Sequence, residues 1–319
     1  MNNQNIFMAK TNTFFSKYPN QYGYISVFIV ILLFIIGGIC GLASLFHPWA
    51  LIISETIKSI NLPSFLTSEK ILKWEFQGLS KFFSHKIIYS QEKQNYNFKK
   101  KQYIKCLMPH GIVPFSIWCL WGEENEQDVF NRKDNTFIVS HQLYEFPLIS
   151  HYANACNAVS SNYKNMENAL TNKKSLIIYP GGLREMFACS HKKDIIVINK
   201  RRGLFYMALK NGISLLPIYT FGITKLYERS GVTFTLPFFF KNDKDSLAWY
   251  YGKYYSPFPI KKKLITVVGS PIYVTKKNII TNNDIDQLRD KYIIVVKNLY
   301  RKWALNYDSS WKNRELIIQ

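Results

Sequence analysis

One stretch of the chain has apolar residues with no polar period at all. From Tyr18 to Ser54 no residue carries a formal charge, and Tyr24 through Phe46 is almost wholly apolar. About twenty apolar residues suffice to cross the hydrocarbon core of a bilayer. Gly37, Gly38 and Gly41 interrupt the run, and a second apolar stretch, Pro48 to Ile53, follows His47. The pattern predicts a membrane-embedded segment over 22–54, either one transmembrane helix or a re-entrant helical hairpin. Lysines flank both sides (Lys10 and Lys17 before; Lys58, Lys70 and Lys73 after), and such near-equal flanks mildly favour the hairpin. The run is too long, and starts too far from Met1, for a cleaved signal peptide. Residues 1–21 read as a polar tail. Over 55–102, Trp74, Phe76, Leu79, Phe82 and Phe83 alternate with lysines. That is an amphipathic connector, lying on a membrane surface or packed as an ordinary helix.

From Tyr103 the pattern becomes strand-then-helix. Tyr103 to Met108 reads as a short strand and Pro109-His110-Gly111 as a corner. Pro114 suits the first turn of a helix through Phe115, Trp118 and Cys119. Asn135 to Ser140 is a second strand, Glu145 to Tyr152 a helix, and Met166 to Leu170 a short helix. Ser175 to Tyr179 is a continuous apolar run, as in a buried parallel strand. It ends in Pro180-Gly181-Gly182-Leu183-Arg184-Glu185. Asp194 to Ile198 is the next strand, and Lys200-Arg201-Arg202-Gly203 opens a helix that Asn211-Gly212 close. Ser214 to Gly222 and Leu264 to Gly269 are further strands. The aromatic stretch between them, 234–258, reads as irregular and suits a cavity wall or contact with lipid. Thr281 to Asp284 resembles a capping box. It opens a long helix with Ile285, Leu288, Tyr292, Leu299 and Trp303 on one face. This order predicts an α/β domain over 103–319 with a central, mostly parallel sheet flanked by helices.

Composition narrows the class. Hydrophobic residues at 47% and aromatics at 16% exclude wholesale disorder. The five cysteines are widely spaced and odd in number, with no Cys-x-x-Cys, which argues against a disulfide framework or a zinc site. The net charge of +20 suits a nucleic acid, an anionic membrane or a polyphosphate ligand. No zinc-finger spacing, RNA-binding aromatic motif or basic zipper is present, so nucleic acid is not expected as a partner.

The candidate chemistry gathers at corners. A histidine between a strand and a helix lies at the carboxyl edge of an α/β sheet, where ligands bind. The helix start there favours the neutral imidazole that a general base needs. A turn histidine held by backbone bonds is the plain alternative for His110. Gly181-Gly182 permit close backbone approach, so their N–H groups suit an anionic oxygen; a simple tight turn would look the same. Arg201 and Arg202 at a helix start suit a phosphate, or form a solvated charge run.

These stretches together resemble the type-2 diacylglycerol acyltransferase family, which includes monoacylglycerol and wax-alcohol acyltransferases. The resemblance rests on Met108-Pro109-His110-Gly111, Gly181-Gly182-Leu183-Arg184-Glu185, Arg201-Arg202-Gly203-Leu204, Leu216 to Gly222 and Thr266 to Ile272, in that order. Met108 stands where the family's first histidine would be, Ile223 where an acidic residue often follows, and Ser161 where a basic one is common. The resemblance implies a glycerolipid-acyltransferase-like fold. It also implies transfer of a fatty acyl group from acyl-CoA to a neutral lipid alcohol, foremost diacylglycerol, with no bound cofactor and no metal. His110 is then the general base and Glu185 the residue that orients it and stabilises the imidazolium. Gly111, Gly181 and Gly182 would supply oxyanion N–H groups. Arg201, Arg202 and Gly203 would meet the phosphates of acyl-CoA.

The implied setting is the endoplasmic reticulum membrane or a lipid-droplet surface, with the catalytic domain facing the cytosol. A homodimer is compatible with the resemblance. Glycerolphosphate acyltransferases carry His-x-x-x-x-Asp, but the fifth residue after His110 is Phe115. An apolar acceptor is therefore expected rather than a phosphorylated one. Monoacylglycerol or a long-chain alcohol are alternative acceptors. A lipid hydrolase would need Gly-x-Ser-x-Gly, which is absent. A non-catalytic lipid-binding protein remains the rival from another class.

Overall fold

The computed structural model describes residues 68–99, 101–144, 149–234 and 247–319, together with Tyr24, Ile25 and Phe28. The rest of the expected membrane segment, 22–54, lies outside the described residues. Among the described residues no helix is long and apolar enough to cross a membrane.

Helix α1 (Glu69–Phe82) starts where Ser68 caps it by accepting from the Ile71 N–H. Its Leu72, Phe76 and Leu79 fall at i, i+4 and i+7 and are buried. Strand β1 (Lys86–Tyr89) follows, then β2 (Tyr103–Met108) and helix α2 (Phe115–Gly122). Next come α3 (Gln127–Phe130), β3 (Asn135–Val139), α4 (His141–Tyr144), α5 (Ile149–Ala155), β4 (Ala158–Ser160) and α6 (Tyr163–Thr171). The chain continues through β5 (Ser175–Ile178), α7 (Gly182–Ala188), β6 (Asp194–Ile196), α8 (Arg202–Asn211) and β7 (Ser214–Phe221). Strands β8 (Glu228–Phe234), β9 (Leu247–Tyr251) and β10 (Ile265–Val268), helix α9 (Asn282–Tyr307) and β11 (Leu316–Ile318) complete it.

Among the described residues, seven strands form one sheet in the order β1-β10-β7-β2-β5-β3-β4. Every neighbouring pair is parallel except β10 and β7, so β1 and β10 run against the other five. Side chains alternate across the sheet as the pleat requires. Tyr103 and Leu107 of β2 enter the core beneath α1 and α2, whereas Ile104, Cys106 and Met108 enter the one beneath α8 and α9. The predicted α/β architecture with a mostly parallel sheet is the one observed.

Several local expectations also hold. Gly212 ends α8 at φ 67°, and Thr281 and Asp284 form a reciprocal capping box on α9. Other elements differ. Residues 68–99, expected within a connector, supply α1 to the core and β1 to the sheet edge. The apolar side of α1 meets α2, with Phe76 and Trp121 ring centroids 5.5 Å apart. Part of the aromatic stretch pairs as β8 and β9, and the chain end pairs as β11 alongside β6. Of the helix expected over 145–152, residues 145–148 lie outside the described residues.

Candidate active site

Strand β2 sits near the middle of the sheet and delivers His110 to its carboxyl edge, one residue beyond Pro109. The next residue must be glycine. Gly111 has φ +70°, and a Cβ there would come within 2.8 Å of Ile223 Cγ1. The Gly111 carbonyl in turn accepts from His110 Nδ1 at 2.9 Å, the hydrogen bond the described residues give to this ring. With Nδ1 carrying the proton, Nε2 keeps its lone pair. Burial, to 8% exposure, lowers the imidazole to about 4, so the ring is neutral near pH 7. Desolvation, working against the Gly111 hydrogen bond, is the cause of this lowering, where the helix start was expected to supply it.

Glu185 comes from the first turn of α7 and is 1% exposed. Its carboxylate folds back over Gly181, where a Cβ would fall 2.1 Å from Oε2. That explains the glycine four residues before the acid. Oε1 accepts from the backbone N–H of His110 at 2.6 Å and Oε2 from that of Val197 at 3.0 Å. The structure thus brings Glu185 to His110 but to its backbone, which corrects the expected contact with the ring. The orienting partner of the imidazole is the Gly111 carbonyl. Burial pushes the Glu185 carboxyl up to about 7, against the downward pull of the two N–H donors.

The remaining expected residues divide. Gly182, at φ +55°, donates its N–H to the Tyr179 carbonyl at 3.0 Å. The Arg201 guanidinium donates to the Gly181 carbonyl, beside the Glu185 clamp. Arg202 reaches Asp286 at 2.7 Å and the Asn282 side chain at 2.9 Å, tying the start of α8 to α9. Gly203 is exposed, and a Cβ there would meet nothing within 4 Å. Met108 lies in the opposite core, where the Tyr292 hydroxyl meets its sulfur at 3.7 Å.

Sequence reasoning missed Tyr179 and Val197. The Tyr179 ring centroid lies 4.7 Å from that of His110, and its hydroxyl pairs with Ser116 Oγ at 2.5 Å. Tyr179 reads locally as the last residue of a strand, and Val197 contributes only a backbone N–H, which leaves no mark on residue type. A second histidine also has a carboxylate on Nδ1 and a hydroxyl on Nε2. His85 meets Glu123 at 3.1 Å and Thr266 at 2.8 Å. Its side chain and Thr266 are both fully buried, so this chain of bonds joins α1, α2 and the sheet without reaching a substrate. Among the described residues no three His, Cys, Asp or Glu side chains converge on a metal position.

Comparison with known sequences points to one family. A sequence model of the family described as diacylglycerol acyltransferase matches residues 39–319. Diacylglycerol O-acyltransferase 1 of Saccharomyces cerevisiae is 26% identical over 60% of this chain and 50% of its own length. The Schizosaccharomyces pombe protein of the same name is 25% identical over 64% of each chain. Diacylglycerol O-acyltransferase 2 of Danio rerio is 24% identical over 65% of this chain and 62% of its own. The matched region thus spans half or somewhat more of these relatives. Among solved structures, the 1-acyl-sn-glycerophosphate acyltransferase PlsC of Thermotoga maritima superposes with a TM-score of 0.45 and 16% identity, over 90% of this chain and 98% of that one.

Proposed function

The chain belongs to the diacylglycerol acyltransferase family, and from that premise we propose that it moves a fatty acyl group from acyl-CoA to the free hydroxyl of diacylglycerol. The observation that carries the reading is the His110 ring, neutral, fixed through Nδ1 by the Gly111 carbonyl, and placed at the carboxyl edge of the sheet. Nε2 accepts the proton of the attacking alcohol as its oxygen bonds to the thioester carbon. The Gly111 carbonyl, accepting from Nδ1–H, stabilises the imidazolium that forms. The tetrahedral oxyanion collapses to the ester and expels the coenzyme A thiolate, which takes the proton from Nε2.

Gly182 has its N–H engaged by Tyr179, so Gly111 and Gly181 are the glycines whose N–H groups serve the oxyanion. Glu185 fixes the position of the His110 backbone rather than the charge of its ring. Arg201, which donates to the Gly181 carbonyl, and Arg202, next to it in sequence, are the basic side chains this reading assigns to the acyl-CoA phosphates. Phe115, in place of an Asp five residues after His110, supports a neutral acceptor. The setting that fits is the endoplasmic reticulum membrane with the site facing the cytosol.

The test is expression of the full chain in cells that make no neutral lipid. Triacylglycerol should accumulate with the wild type and not with His110→Ala. A wax or other ester in its place would reassign the acceptor. No ester at all, where a known acyltransferase works, would defeat the catalytic reading.

A further inference from the structure

Two patches rich in lysine and aromatic or aliphatic side chains lie outside the catalytic corner, at opposite edges of the sheet. One holds Tyr273, Lys276, Lys277 and Ile279. Ile272 bridges Leu215, and the Lys277 N–H donates to the Leu209 carbonyl, so this patch sits by the start of β7. The other is the loop Gly252–Lys263, which carries four lysines and no acidic residue. Ile265 pairs with Phe221 at the end of β7, and the Ile260 N–H donates to the Leu226 carbonyl. Ile223, in the same turn, abuts Gly111. This second loop therefore shares an edge with His110.

The loop is built to hold its tip in place. Gly252 donates to the Ser256 carbonyl at 2.7 Å, Lys253 to the Phe258 carbonyl at 2.8 Å, and Ser256 back to the Lys253 carbonyl at 3.1 Å. A Cβ on Gly252 would lie 1.7 Å from the Phe258 oxygen. At the tip, Tyr254 and Tyr255 are 84% and 81% exposed, at φ 56° and 57°. Bulky side chains rarely occupy that left-handed region, and strain of this kind persists where the surroundings impose it. Here it turns two aromatic rings outward, touched only on one side by Lys253 and by the Tyr251 ring among the described residues.

Tyrosine suits the headgroup layer of a bilayer, with its ring in the apolar boundary and its hydroxyl in water. Exposed Lys261, Lys262 and Lys263 add charge of the sign that anionic lipid attracts. Phe258 stacks on Phe28 at 6.1 Å, and the Lys261 ammonium lies 5.4 Å from the Phe82 ring, whose edge contact is Tyr24. Tyr24 and Phe28 lie at the start of the apolar run that continues to Phe46. The loop and the start of that run meet at one edge.

We propose that the loop Gly252–Lys263 is an interfacial anchor. Tyr254 and Tyr255 enter the headgroup layer of a bilayer containing anionic phospholipid, and Lys261, Lys262 and Lys263 hold its headgroups. The His110 edge is thereby turned toward the lipid, and only that last consequence rests on the acyl-transfer reading.

The test uses the full chain with Cys40→Ser, because Cys106, Cys119, Cys156 and Cys189 are buried. An environment-sensitive dye is attached at Tyr254→Cys, at Tyr255→Cys or, on the far edge, at Ile279→Cys, itself 84% exposed in the parent chain. The protein is bound to phosphatidylcholine vesicles carrying about 30% phosphatidylserine, with brominated acyl chains. A blue shift and roughly twofold quenching are expected at 254 and 255, with neither at 279. Lys261→Glu combined with Lys262→Glu and Lys263→Glu should reduce that quenching. No quenching at 254 and 255 in vesicle-bound protein, or equal quenching at 279, overturns the anchor; quenching indifferent to the triple reversal overturns the role of the lysines. The dye reports without turnover, so failure here leaves the acyl-transfer reading standing, and absence of ester leaves the anchor standing.

Discussion

A carboxylate that accepts N–H groups from two separate segments works as a clamp, and Glu185 does so for His110 and Val197. In Glu185→Gln one backbone donor faces an NH2 group in a buried site. An unsatisfied buried donor costs about 1–3 kcal/mol. The variant should melt earlier and turn over more slowly, because the corner shifts. The acidic limb of its pH–rate profile should stay in place, since the carboxylate does not touch the ring; a carboxylate bonded to the imidazole would move that limb. The family resemblance paired Glu185 with His110 but did not give the contacting atom. The choice between ring and backbone depends on how β2 and α7 approach.

The same two residues set opposing pH effects. His110 is about 4 folded against 6.5 unfolded, so between those values the unfolded chain binds more protons and stability rises with pH. Glu185 is about 7 folded against 4.5 unfolded, so stability falls as pH rises through that window. In the wild type the two trends largely cancel. His110→Gln removes the first and should expose the second, with stability relative to wild type falling by up to about 3 kcal/mol between pH 4.5 and 7. Urea unfolding at the two pH values measures it. Equal pH dependence in both proteins would mean that burial does not hold His110 neutral.

At the scale of elements, the site depends on a strand pair of which the sequence signals one member. Strand β6 falls within the expected strand Asp194 to Ile198, whereas its partner β11 has three residues, too short for any apolar period. What fixes the pair is Asp194, fully buried, bonded to Arg314 at 2.6 Å, Thr224 at 2.7 Å and Tyr219 at 2.6 Å. Strand β6 leads directly to Val197, whose N–H the Glu185 clamp holds. Removing one partner of a buried ion pair costs about 3–5 kcal/mol because the other charge is left bare. Arg314→Ala should therefore lose stability on that scale and raise hydrogen exchange in β6 and β11 before the central sheet. Long elements were legible for the opposite reason. Helix α9 shows its apolar face over many turns and announces its start with Thr281 and Asp284. Arg202 tests a different link. Its pair with Asp286 is partly exposed, so Arg202→Ala should cost under about 1 kcal/mol. A several-fold rise in KM for acyl-CoA with little change in melting would mark a phosphate contact, and an unchanged KM would leave only the tie to α9.

At the scale of the whole molecule, the boundary of the folding unit does not fall where the motifs begin. The motif-bearing stretch starts at Tyr103, but α1 and β1 precede it and complete both a core layer and a sheet edge. An amphipathic helix on a membrane and one packed in a domain share the same period, so only the facing surface separates them. Here that surface is α2, and Leu72, Phe76, Leu79 and Phe83 are buried. Each such side chain contributes about 1.5–3 kcal/mol by leaving water, and together, at about 6–12 kcal/mol, they are comparable to the net stability of an ordinary domain. His85 adds a buried polar tie to Thr266 that would be lost with them. A chain of residues 66–319 should therefore retain a cooperative thermal transition and dispersed amide signals. One of residues 100–319, although it keeps every motif and His110 itself, should lack both. A cooperative melt in the shorter chain would show that α1 and β1 are appended to the domain rather than part of what holds the catalytic edge together.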